Sequence, residues 1–68
     1  MAKILIVDDD PGIISGVSSI LEMEKHTVET CNNGKDACIL LETYAYELII
    51  LDWQLPDSTG IEILKKYR

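Results

Sequence analysis

Two apolar runs in this chain end on carboxylates. Ile4-Leu5-Ile6-Val7 leads straight into Asp8-Asp9-Asp10, and Ile49-Ile50-Leu51 leads into Asp52. A carboxylate is poorly suited to a buried strand, so two strands that both stop on Asp call for a reason. If the strands lie side by side and parallel, their C-terminal ends coincide. Three or four carboxylates then converge at the edge where open α/β sheets bind ligands. Converging carboxylates repel, and a divalent cation relieves the repulsion while leaving one Asp able to react. Mg2+ suits such a donor set because it takes hard oxygens and keeps several waters, so two carboxylates and one carbonyl suffice. A carboxylate can also attack a phosphoryl group as a nucleophile and form an acyl phosphate. Mg2+ shared between that carboxylate and the phosphoryl oxygens would offset the repulsion of like charges.

The elements that must position these residues follow from the hydrophobic pattern. Residues 3–7 are apolar at consecutive positions, as in a strand buried on both faces. Asp10 and Pro11 read as N-cap and first residue of a helix running to about Glu24, with Ile13, Val17, Ile20 and Leu21 on its apolar stripe. Lys25-His26 turns the chain. Thr27 to Cys31 alternates like a half-exposed edge strand. Asn33 caps a second helix, with Asp36 in its first turn and Ala37, Leu40, Leu41 and Tyr44 on its buried face. Glu47 to Leu51 forms a third strand, and a loop follows through Pro56. Thr59-Gly60-Ile61-Glu62 has the spacing of a capping box, and Ile61, Leu64 and Tyr67 line the third helix behind it. The order β-α-β-α-β-α with short connections predicts an α/β fold with a parallel sheet and right-handed crossovers.

With 68 residues, the chain is at most one small domain, whose core would supply roughly 3–5 kcal/mol. Its apolar fraction of 47% argues against disorder. The net charge of −6 argues against nucleic acid or an anionic membrane as a direct partner. No apolar stretch approaches the length of a membrane span. Met1-Ala2-Lys3 leads into a strand rather than a signal peptide, so a cytoplasmic location is expected. Cys31 and Cys38 lack metal-ligand spacing and read as reduced structural thiols. The only histidine, His26, reads as a partly exposed residue at a strand start rather than a catalytic base. The third strand is apolar throughout yet has an open edge, and no strand follows the third helix. The chain therefore reads as part of a larger domain.

The run Ile4 to Pro11, together with Ile49-Ile50-Leu51-Asp52-Trp53-Gln54-Leu55-Pro56-Asp57 and Gly60, resembles the receiver domain of two-component response regulators. The resemblance extends from first strand to third helix, and the two motifs together are far more specific than either alone. It implies a doubly wound, flavodoxin-like fold. Residues 1–68 would then be a partial receiver domain, a truncated (βα)3 unit with strand order 2-1-3. Carried over by position, it makes Asp52 the phosphoacceptor. Asp9 becomes a direct Mg2+ ligand, Asp8 acts largely through bound water, and Asp52 and the backbone carbonyl of Gln54 complete the metal set. Asp10 serves as the helix cap, while Pro56 and Gly60 shape the loop after the third strand. The implied phosphodonor is a sensor histidine kinase or a phosphotransfer protein, and the module signals rather than acting as an enzyme. Receivers also carry a Thr or Ser ending the fourth strand and a Lys ending the fifth. The sequence stops before both, and Lys65 and Lys66 on the exposed side of the third helix are poor substitutes. These 68 residues alone are therefore expected not to work as a switch.

Three other readings compete with this one. Haloacid-dehalogenase-like phosphatases also use an Asp nucleophile at a strand end, but they need a second acid two residues on, where this chain has Gln54. A Rossmann-type nucleotide site needs a glycine-rich turn after the first strand, and Asp8-Asp9-Asp10-Pro11 is its electrostatic opposite. The third is a folding-competent half-domain with no signalling role that self-associates. In the order 2-1-3, strand 47–51 lies at an edge, and a two-fold homodimer through it would give an antiparallel junction and a six-stranded sheet, 2-1-3-3-1-2.

Overall fold

Val7 pairs with Cys31 on one side and with Leu51 on the other, so three parallel strands end level with one another. The computed structural model describes residues 1–67. The strands are β1 (Lys3–Val7), β2 (Thr27–Cys31) and β3 (Leu48–Leu51), in the order β2-β1-β3. The helices are α1 (Pro11–Met23), α2 (Gly34–Thr43) and α3 (Gly60–Tyr67). This is the 2-1-3 sheet of the first three βα units of a flavodoxin-like fold.

Local chemistry sets the helix ends. Asp10 accepts from the amides of Gly12 at 2.8 Å and Ile13 at 3.4 Å, and Pro11 follows it at the position where a missing N–H is harmless. At the other end of α1, the Lys25 amide donates to the Glu22 carbonyl at 2.9 Å and the His26 amide to Leu21 at 3.1 Å. These are the two bonds of a Schellman cap, and Lys25 takes the left-handed conformation (φ 66°) that glycine usually fills. Asn33 caps α2 by accepting from Asp36 at 2.8 Å. The predicted capping box of α3 forms: the Thr59 amide donates to Glu62 and the Glu62 amide donates to Thr59 Oγ1, both at 3.3 Å.

The two faces of the sheet are unequally covered. On one, Leu5 and Val7 pack with Ala37, Leu41, Tyr46, Leu55 and Ile63 into the main core. Alternation along β1 sends Ile4 and Ile6 to the other face, where α1 packs over β1 and β2. Ile4 and Ile6 are buried there, but their neighbours Leu48 and Ile50 on β3 remain exposed.

This asymmetry corrects several expectations. No residue of α1 is fully buried, and of its predicted stripe Ile13 and Ile20 are exposed while Val17 and Leu21 are half-buried. The helix packs over β1 and β2, and part of its apolar surface is left exposed. Tyr44 is the exposed C-cap of α2 and not part of its buried face; Tyr46 is buried instead. On α3, Ile61 and Leu64 are exposed and Ile63 takes the core position. The expected contribution of the Tyr67 side chain lies outside the described residues. β3 begins at Leu48, one residue later than expected. Among the described residues, no helix is long and apolar enough to cross a membrane.

Candidate functional site

The level strand ends carry the acidic residues to one place. The parallel ladder continues one residue beyond the strands: the Asp8 amide donates to the Cys31 carbonyl at 3.1 Å, and the Asp52 amide to the Val7 carbonyl at 2.8 Å. The backbones of Asp8 and Asp52 are thus fixed by the sheet itself. One carboxylate oxygen from each of Asp8, Asp9 and Asp52 lies within 4.8 Å of the others. Asp8 and Asp52 are half-buried, and Asp9 is exposed.

The three consecutive acids after β1 divide their tasks. Asp8 Oδ1 accepts from the Asp10 amide at 2.9 Å, which bends the chain toward α1. Asp10 spends its carboxylate on the helix cap and stands outside the cluster. Asp9 projects from the turn between them. Among the described residues no Lys or Arg pairs with Asp8, Asp9 or Asp52; the ion pair present, Lys3 with Glu29 at 4.0 Å, involves the opposite end of β1. The cluster is therefore uncompensated negative charge with an all-oxygen donor set, which fits a hard divalent cation such as Mg2+.

Gln54 lies in the loop joining β3 to α3. It forms an antiparallel bridge with Thr59, flanked by bonds from the Leu55 amide to the Ser58 carbonyl at 2.9 Å and from the Gly60 amide to the Trp53 carbonyl at 3.0 Å. In a pair of this kind the residue's own N–H and C=O point away from its partner. The Gln54 carbonyl accepts no hydrogen bond among the described residues. Leu55 is buried in the main core and anchors the loop. Gly60 is required by proximity: a Cβ there would stand 2.8 Å from the backbone oxygen of Asp52. Pro56 and Trp53 are exposed, Trp53 directly beside Asp52.

One loop residue has a role that the sequence pattern did not suggest. Asp57 accepts from the amides of Gly34 at 2.6 Å and Lys35 at 3.0 Å, which hold its carboxyl below the usual carboxylate range. An acid following Pro56 looks like a turn residue, and only the tertiary fold brings it to α2. Away from the site, Cys31 and Cys38 are free thiols, and burial pushes the Cys31 thiol up to about 11. His26 is half-buried at the start of β2, where its Nδ1 accepts from the Ala2 amide at 3.0 Å.

The arrangement has close counterparts. Residues 4–68 match the model of the response regulator receiver domain. A transcriptional regulatory protein CpxR homolog from Haemophilus influenzae is 44% identical over all 68 residues, which correspond to 30% of that protein. The response regulator protein TrrA from Thermotoga maritima, solved in complex with Mg2+-BeF, superposes with a TM-score of 0.92 at 34% identity, over the whole chain and 59% of TrrA. A second structure contains TrrA in complex with the histidine kinase ThkA and superposes with a TM-score of 0.91. The chain thus spans about a third of the curated relative and somewhat more than half of the solved receiver it matches. With the family model matched over nearly every residue and the acids gathered at the ends of β1 and β3, this chain belongs to the response regulator receiver domain family.

Proposed function

We propose that these residues are the phosphoacceptor part of a two-component receiver, in which Asp52 takes a phosphoryl group from a sensor histidine kinase or phosphotransfer protein. The observation that carries the reading is the convergence of Asp8, Asp9 and Asp52 within 4.8 Å at the level ends of β1 and β3. The solved pairing of TrrA with a histidine kinase supports a kinase as donor. Asp8, Asp9, Asp52 and the Gln54 carbonyl would hold Mg2+, Asp9 directly and Asp8 largely through water. When bound, the cation would offset the repulsion between carboxylate and phosphoryl oxygens. An Asp52 carboxylate oxygen attacks phosphorus, the O–P bond forms as the bond to the donor atom breaks, and the electron pair leaves with the donor. Asp52 is suited to this because the Val7 carbonyl fixes its backbone while its side chain stays partly open to solvent.

The test is trapping. An acyl phosphate reacts with hydroxylamine to give a hydroxamate and release phosphate. A small-molecule phosphodonor with Mg2+ and hydroxylamine should mark Asp52 and no other carboxylate. Absence of the mark, or the mark on another residue, contradicts the reading. The backbone NMR spectrum of the 68-residue chain should change little on phosphorylation, because Lys65 and Lys66 are exposed on α3 and offer no clamp for the phosphoryl oxygens.

A specific observation favours a second property, self-association through β3. This strand is at the sheet edge, and Leu48 and Ile50 are exposed on the face where Ile4 and Ile6 are buried. Two-fold antiparallel pairing of β3 with its copy would satisfy its open edge and set Leu48 and Ile50 beside their counterparts in one apolar strip. The melting temperature should then rise with protein concentration, and Leu48→Lys should remove the rise. A concentration-independent melt of a monomer by light scattering would rule the dimer out.

A further inference from the structure

The first amides of a helix lack intrahelical partners, and α2 solves this with two different residues. Asn33, the adjacent cap, takes only the Asp36 amide. The amides of Gly34 and Lys35 go to the two carboxylate oxygens of Asp57, more than twenty residues away in the β3–α3 loop. A second observation shows that the loop is seated on the helix. A Cβ at Gly34 would stand 1.7 Å from Ser58 Oγ, 3.0 Å from Ser58 Cβ and 3.1 Å from Asp57 Oδ1, so docking at this distance needs glycine. Rotation of the Ser58 hydroxyl would relieve the first contact but not the other two.

The same loop carries Gln54 and follows Asp52. Leu55 pins its inner side in the core, the Gln54–Thr59 bridge narrows it, and Asp57 ties its outer turn to α2. We infer that Asp57 is a positioning residue: by latching the β3–α3 loop to the N-terminus of α2, it holds the Gln54 carbonyl in place for the acidic site. The inference rests on reading Asp8, Asp9, Asp52 and Gln54 as a metal and phosphoacceptor site. The latch couples the site to α2, an element that contributes no carboxylate to it.

The test compares Asp57→Ala and Asp57→Asn with Asn33→Ala, which removes the local cap of the same helix without touching the loop. Two quantities are measured on the 68-residue chain: hydrogen exchange at the Leu55 and Gly60 amides, and Mg2+ affinity by NMR titration. Asp57→Ala should speed exchange at both amides and weaken Mg2+ binding, each about tenfold. Asp57→Asn, which keeps one carbonyl acceptor, should fall between it and the parent. Asn33→Ala should lower the melting temperature yet leave exchange and affinity within about twofold. Wild-type exchange in Asp57→Ala overturns the latch, as does an Asn33→Ala profile matching that of Asp57→Ala. Faster exchange with unchanged Mg2+ affinity shows that the latch does not reach the site, and overturns the inference. If the parent chain binds no Mg2+ but exchange rises only in the Asp57 variants, the latch of the loop stands and the site reading falls.

Discussion

The two faces of the sheet are made from the same strands and similar residues, yet they end in different states. On the α2/α3 face, Leu5, Val7, Leu41, Tyr46, Leu55 and Ile63 close into a core. On the α1 face, Ile4 and Ile6 are covered, while Leu48 and Ile50, beside them on β3, are exposed. Composition does not explain this, since β3 reads Leu-Ile-Ile-Leu. What differs is the number of helices: α2 and α3 pack together across one face, and α1 lies over β1 and β2 on the other. The loop that follows Asp52 is anchored on the closed side by Leu55 and the helix behind it by Ile63, and both residues sit in the main core.

The largest expected effect separates the faces by deletion. Ile63→Ala, at a position only 1% exposed, should cost about 2–5 kcal/mol by urea denaturation, enough to threaten so small a fold. Ile20→Ala on the outer surface of α1, 64% exposed, should cost roughly 0.5 kcal/mol or less. Similar costs for both would erase the distinction between the faces.

Next in size is Gly60→Ala. The added methyl would press on the Asp52 carbonyl 2.8 Å away, with Leu51 behind it, and should cost about 1–3 kcal/mol. Backbone NMR shifts should concentrate at Asp52 and Trp53. Shifts confined to α3 would show that the helix yields and the site does not.

The smallest effect is a pH dependence from Cys31, which packs against the closed core. Burial is the main cause of its raised thiol value, from 9.0 to about 11. A group with a raised folded value contributes stability that is complete below its unfolded value and lost as pH rises through the folded one. The urea midpoint should therefore fall between pH 9.0 and about 11, and Cys31→Ala should flatten that part of the profile. An unchanged slope in the variant would assign it to other groups.

Much of this was legible in the sequence because it depends on short-range chemistry. Asp10-Pro11, Asn33 and the Thr59/Glu62 box each cap a helix with atoms a few residues apart, so spacing alone locates them. The meeting of Asp8, Asp9 and Asp52 follows from a parallel register, which the β-α-β pattern implies. Side-chain burial was less legible. Ile61, Ile63 and Leu64 are all apolar within one turn of α3, and only docking against α2 and the strands selects Ile63. Tyr46 lies in a connection rather than a periodic element. Its burial and its hydroxyl's donation to Glu29 on β2 push the phenol above its usual range, and both depend on the folded neighbourhood. Asp57 was hidden for the same reason, because its partners are the amides of a different helix.

If Asp8, Asp9 and Asp52 form one divalent-cation site, as proposed, Trp53 is placed to report on it. It is the only tryptophan, it follows Asp52, and it is largely exposed. The decisive measurement is Mg2+ titration of Trp53 fluorescence in the parent chain, Asp9→Asn and Asp52→Asn. A saturable change at about millimolar Mg2+ is expected, and either substitution should weaken it. Superimposable titrations of all three proteins would contradict it.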